Sequence, residues 1–273
     1  MKKYKILKVN DGILKSPGKF QGYTYGKKKD VIGKKLTCSD FDTSNETCSR
    51  GYYATDIEGL IYTNLSNPNY KVFEVEVSGK EKIFDEYKQR FEHMTIIRQL
   101  SVKELKQLVK VQSDKMDWDY YHALFPYNPL QKTRKKVTKK EIELLKKWAS
   151  VRASVGSSVW DPVRDSVWTS VGDSWASVGR DSVWASVEDS VWTDSVWGSV
   201  WASVWDSVKD SVGAYISSLF PNIKQWKYIT HENGKNPFQP CIDLWNKNLV
   251  PSYGGKTWRL HTGPKAKIIW EES

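Results

Sequence analysis

Few side chains in this 273-residue sequence stand at the spacings that chemistry demands. A zinc site needs clustered thiols and imidazoles, but Cys38 and Cys48 have nine residues between them and no Cys-x2-Cys or His-x3-His pair accompanies them. His93 or His122 would have to be carried in by the fold, so buried or free thiols account for the cysteines better. Glu74 and Glu76 share one face of a strand pattern and could hold a cation together, although alternation on a solvated face explains them equally. Gly254-Gly-Lys-Thr257 ends like a phosphate loop, yet Val250 stands where that loop requires glycine, and the segment leads into a strand rather than a helix. No Gly-x-Ser-x-Gly elbow supports nucleophilic hydrolysis. The remaining candidates are basic. Lys27-Lys28-Lys29, Lys34-Lys35 and Arg134-Lys135-Lys136, with Phe20, Tyr23 and Tyr25 among the first group, offer phosphate neutralisation and stacking for nucleic acid.

Charge is distributed unevenly along the chain. The formal net charge is +10, made of +11 over residues 1–148, −5 over 149–213 and +4 over 214–273. A basic head can meet nucleic acid or, with equal physical sense, the acidic middle of its own or a neighbouring chain. No run of 18 apolar residues exists, which excludes a membrane-spanning helix, and Lys2, Lys3 and Lys5 are followed by no apolar core of a secretory signal. With only three cysteines, the expectation is a cytoplasmic protein.

The elements that must position these residues differ by region. Val72 to Val77 alternates strictly and reads as a half-buried strand with Phe73, Val75 and Val77 inward. Thr95 to Leu100 reads as a second strand. Ser101-x-x-Glu104 opens a helix that turns Leu105, Leu108 and Val109 inward, Lys115 to Leu124 forms a short helix, and Thr138-x-x-Glu141 opens another over Lys139 to Trp148. Lys132 to Lys140 reads as a solvated linker. In the tail, Pro240 to Asn246 is a helical turn or two, and Thr257 to His261 pairs with Lys267 to Glu271 as a hairpin.

Between them runs a tetrapeptide repeat. From residue 151 to residue 212 fifteen valines follow one another, 11 of their 14 spacings being four residues, and eight of the fourteen tryptophans lie here. Ser-Val recurs, followed mostly by Trp, Arg or Gly and then often by Ala or Asp, as a drifting twelve-nucleotide unit would produce. A period of four advances about 40° per repeat around an α-helix, so the valine stripe cannot stay on one face of a straight helix. A β-solenoid would keep it on one face. Helical segments that bend near Pro162 are favoured over the solenoid because both flanks are helical and turn residues are scarce. Either way, so much apolar surface must face another part of the chain or another chain.

Several segments resemble known sequences. Cys48-Ser-Arg-Gly-Tyr-Tyr-Ala-Thr-Asp56, Tyr70-Lys-Val-Phe-Glu-Val-Glu-Val-Ser-Gly-Lys80 and Met94-Thr-Ile-Ile-Arg-Gln-Leu100 resemble a domain of unknown function found in bacteriophage and prophage proteins. Asn236-Pro-Phe-Gln-Pro-Cys-Ile-Asp-Leu-Trp245 and Leu249-Val-Pro-Ser-Tyr-Gly-Gly-Lys-Thr-Trp-Arg-Leu-His261 are similar to the ends of gut-phage and gut-bacterial proteins. These likenesses imply a viral or mobile-element origin and a bacterial host cell. Gly51 to Asp56, with Tyr62 and the strand after it, also resembles the tyrosine-bearing part of ADP-ribosyltransferases. That resemblance implies NAD as cofactor, with Tyr53 and Tyr62 holding the nicotinamide and Glu92 orienting the ribose. A carboxylate there would stabilise the positive charge that develops at the anomeric carbon. The alternative takes the tyrosines as core aromatics and Glu92 as a surface residue.

The expectation is therefore an α+β protein in four parts: a basic β-containing head over 1–112, a helical connector over 113–148, the repeat over 149–213 and an aromatic hairpin module over 214–273. The expected role is that of a phage-derived accessory protein acting by binding, through a protein partner or self-association along the repeat, with nucleic acid as a possible ligand of the head and no membrane contact. The alternative is an NAD-dependent ADP-ribosyltransferase-like enzyme using Tyr53, Tyr62 and Glu92.

Overall fold

A computed structural model describes residues 1–17, 23–46, 49–60, 65, 69–84, 88–155, 159, 161–163, 165–166 and 210–272. The architecture is α+β, in two compact units: Met1–Lys115, and the described residues of Met116–Ala176 with Val183–Ser273. Tyr62, Cys48, Phe20 and most of the repeat lie outside the described residues.

The first unit is built on one curled antiparallel sheet. Its spine is the pair β6 (Tyr70–Ile83) and β7 (Gln89–Gln99), both longer than the alternation alone announces. β1 (Lys2–Asn10) joins β6, followed outward by β2 (Ile13–Lys15) and β3 (Thr24–Lys27). On the other side β4 (Lys35–Thr37) and β5 (Tyr52–Ala54) both pair with β7. Short helices α1 (Lys28–Val31) and α2 (Ile57–Leu60) fill connections.

Because successive strand residues face opposite ways, the sheet supports two cores. Phe73, Val75 and Val77 join Leu7, Leu14, Tyr52, Met94 and Ile96 in the larger one, inside the curl. Val72 joins Leu60 and Leu100 in the smaller one, where Tyr4, Ile6, Leu105 and Leu108 also pack. Leu105 and Leu108 come from α3 (Val102–Ser113), whose capping box is formed as its sequence requires: the Glu104 amide donates to the Ser101 hydroxyl and the Ser101 amide to the Glu104 carboxylate.

β1 has no counterpart in the sequence reading, and its reason is physical. Its inward residues include Lys3 and Lys5, 4% and 7% exposed, so the apolar alternation that marks a strand is missing. Each ammonium is satisfied internally, Lys3 by the Asp56 carboxylate and Lys5 by the Tyr53 carbonyl.

The second unit packs α5 (Lys139–Ser154), α6 (210–218) and α7 (Gln239–Asn246) with a three-stranded antiparallel sheet of β8 (Val250–Tyr253), β9 (Trp258–Thr262) and β10 (Lys267–Glu271). Trp148, Phe238 and Trp245 are fully buried at its centre. Trp226 meets Phe238 edge-on at 5.3 Å between centroids, and Tyr215 stacks on Trp245 at 5.0 Å. The hairpin expected in the tail is present, with β8 added along β9. The helix expected over Lys115 to Leu124 is confined to α4 (Tyr120–Leu124), because the Asp119 carboxylate accepts the His122 amide and starts the helix there. The stretch expected as a solvated linker is partly a strap: the Arg134 amide donates to the Thr262 hydroxyl, and its guanidinium donates to the Lys247 carbonyl and the Glu141 carboxylate.

Candidate functional site

Tyr53 is half-buried in β5, opposite Arg90 of β7. Its hydroxyl donates to the Ser49 carbonyl at 3.1 Å and accepts from Arg90 Nη1 at 3.2 Å. Arg90 is the organising residue of this corner. It is fully buried, and it donates further to the Glu46 carbonyl from Nη1 and the Ser44 carbonyl from Nη2, both at 2.9 Å. Its guanidinium lies 4.9 Å from the Phe84 ring centroid, 5.7 Å from Phe41 and 5.9 Å from Tyr53. Arg90 thus ties the loop before β5 to the sheet. The loop is further pinned at Asp42, whose carboxyl is held at about 2 by hydrogen bonds from Ser49 and Ser44 and by the Arg90 charge.

Glu92 lies two residues along β7. Its carboxylate accepts the Lys80 amide at 3.0 Å, where β6 shifts register between Ser78 and Glu81, and this bond together with nearby His93 holds its pKa below the usual carboxylate range. Gly79 makes the approach possible: a Cβ there would stand 2.6 Å from the Glu92 carboxylate. The structure therefore places Tyr53 in the Arg90 cluster and Glu92 at the β6 bulge, while Tyr62 falls outside the described residues.

The head's lysines are arranged differently. Lys27, Lys28 and Lys29 line an open cleft of about 650 Å³ with Asp11, Gly12 and Ile32. Lys28 is anchored, donating to the Gln99 side-chain carbonyl at 2.8 Å with its ammonium 5.8 Å from the Phe73 ring centroid. Lys27 and Lys29 are exposed, and among the described residues no carboxylate neutralises them. Nearby, Tyr23, Tyr25 and Tyr52 form a triangle with centroids 6.0 to 6.3 Å apart. Burial pushes the Tyr52 hydroxyl up to about 12, and Tyr23 at the rim stays 38% exposed.

In the second unit the functional geometry concerns the two ends of the repeat. Asp210, 2% exposed, accepts from Arg152 Nε at 2.7 Å and from the Val159 amide at 3.1 Å. Residues at the start and the end of the repeat are therefore joined directly. Val159, Val163 and Val212 are completely buried, and the Lys227 amide and the Tyr228 hydroxyl hold Ser166 and Asp165. The described repeat residues 149–154, 161–163, 165–166 and 210–213 are helical, with Pro162 inside the turn at 161–163.

Sequence reasoning did not single out Arg90, Lys5 or Asp210. Gly51 beside two tyrosines was the available signal for Arg90; Asp210 gave none, being one of many aspartates in the repeat. Among the described residues no group of histidine, cysteine or acidic side chains could hold a metal ion, and no helix is long and apolar enough to cross a membrane. In comparisons with family models, curated proteins and solved structures, this chain matches none.

Proposed function

We propose that this chain is a phage-derived accessory protein of the bacterial host cytoplasm that works by binding, with the helical repeat as scaffold and association surface for a protein partner or a second copy. The observation that carries this reading is the fate of the repeat's valines where they are described. Val159, Val163 and Val212 are sealed into a core, so the recurring valine serves as packing surface. Fifteen valines and eight tryptophans exceed what one isolated rod hides, and the surplus is the surface offered to a partner. Sedimentation of the full chain over a concentration range, beside a variant with Trp184, Trp192, Trp197 and Trp201 replaced by serine, tests it. Association lost in the variant supports the reading. A wild-type monomer whose repeat is cut readily by protease refutes it.

The basic head is the second binding element, suited to a polyanion. The NAD-dependent ADP-ribosyltransferase alternative has its own test in label transfer from NAD. It requires transfer that Glu92→Gln abolishes, whereas Glu92 engaged only at the β6 bulge leaves no transfer to abolish.

A further inference from the structure

The lysine cleft identifies which polyanion the head takes. We infer that Lys27 and Lys29, at the mouth of the cleft formed by the β1–β2 turn and the start of α1, bind the phosphates of a single-stranded nucleic acid, with the exposed Tyr23 ring as a stacking position. This deepens the reading of the head as a polyanion-binding element and rests on it.

Charge density chooses between the available polyanions. Residues 27–35 hold five lysines (Lys27, Lys28, Lys29, Lys34 and Lys35) and one acid, Asp30. The acidic repeat carries nine acids among 65 residues, offset by four basic ones. Of these, Lys27, Lys28 and Lys29 line one cleft beside the single carboxylate of Asp11, a density of ammonium groups poorly matched by a chain with so few net negative charges. A nucleic-acid strand, with one phosphate per nucleotide, matches it.

The residue types agree. Lysines are point charges on flexible stems and contact phosphate without the fixed fork of arginine, which suits binding that follows the backbone and not the base sequence. Lys28 is committed to Gln99 and Phe73 and so shapes the floor, leaving Lys27 and Lys29 to the ligand. Tyr23 lies just before β3, packed against Tyr25 and Tyr52 with its ring partly exposed, and Lys27 ends the same strand. β3 stands at one end of the sheet order, and among the described residues no strand pairs with its outer side. Base stacking on an exposed aromatic ring is tolerant of sequence.

The test is fluorescence anisotropy of the full-length protein with a labelled twelve-nucleotide thymidine oligomer between 50 and 200 mM salt. Each phosphate contact contributes about 0.7 to the slope of log affinity against log salt for a single strand. Lys27→Gln with Lys29→Gln should flatten that slope by about 1.4 and weaken binding at low salt. Tyr23→Ser should weaken binding about 5-fold or more with the slope unchanged. Lys135→Gln with Lys136→Gln removes the same charge from the second unit and should change neither. An unchanged slope in the Lys27/Lys29 variant of a protein that binds overturns the cleft as the site and leaves the head as a polyanion binder. Competition by polyglutamate equal to that by unlabelled oligomer overturns nucleic acid as the ligand. Absence of wild-type binding overturns both the inference and the reading on which it rests.

Discussion

Replacing Gly51 by alanine tests the account of the Arg90 corner. Gly51 has φ of +145°, and a Cβ there would stand 2.5 Å from Arg90 Cγ, 2.8 Å from Cδ and 3.2 Å from Phe41 Cδ2. A non-glycine residue in this region of backbone space costs about 1–3 kcal/mol. Forcing a methyl group against a fully buried side chain costs about 1–3 kcal/mol more. The first unit should therefore lose about 2–6 kcal/mol, a large part of the roughly 5–15 kcal/mol that holds a domain folded. The two units can be followed separately because all fourteen tryptophans lie between Trp118 and Trp270. Hydrogen exchange at β5 and β7 should accelerate in Gly51→Ala while the tryptophan fluorescence transition stays in place. Arg90→Ala removes the clashing Cγ, so in that background the Gly51→Ala cost should fall to the backbone part, leaving a coupling of about 1–3 kcal/mol. Equal cost in both backgrounds, or a cost under about 0.5 kcal/mol, would refute the steric argument.

Asp210→Ala should lower the stability of the second unit by about 3–5 kcal/mol, since it leaves Arg152 and the Val159 amide without their buried acceptor; denaturant unfolding followed by tryptophan fluorescence measures it. His261 accepts from or donates to the Ser252 hydroxyl at 2.7 Å, bonds the Ala266 carbonyl at 2.9 Å, and is held below its usual pKa of 6.5 by burial and then by the Arg259 charge. The unfolded chain binds the proton first, so stability should be full above about 6.5 and decline as pH falls below it, and His261→Gln should remove that decline. Deleting residues 183–194, three repeat units, shortens the 43-residue stretch 167–209 between the joined ends to 31 and should change the stability of the second unit by only about 0.3 kcal/mol on closure entropy; a loss of several kcal/mol in the same unfolding assay would show that those units pack on the fold.

What could be read in advance was what rests on local rules. The capping boxes at Ser101 and Thr138 satisfy orphan amides within four residues, and both helices begin where their boxes place them. Val72 to Val77 shows its two faces because one is apolar and the other carries glutamates. The rest depended on partners distant in the chain. β1 is concealed by Lys3 and Lys5, whose burial makes sense only once Asp56 and the Tyr53 carbonyl arrive from about fifty residues away. β5, three residues long, exists through its pairing with β7. The site was legible to the same degree. The lysine runs were visible as charge, but the cleft needs the β1–β2 turn beside α1. Arg90 lay outside both expected strands, and its role shows only once Phe41, Tyr53 and Phe84 close around it.

The joined ends of the repeat explain how such an insertion is compatible with a packed unit. Closing a stretch of chain costs free energy that grows only with the logarithm of its length, so adding one four-residue unit to 43 residues costs about 0.1 kcal/mol. The clamp at the base is worth far more, because breaking a buried pair of this kind costs about 3–5 kcal/mol. Both partners of that clamp come from the repeat itself. Arg152 occupies the position where other units carry Trp or Gly, and Asp210 the position where others carry Ala. Drift at the variable positions is thus enough to create the charge pair that ties the ends together, while the recurring valine supplies the buried Val159, Val163 and Val212.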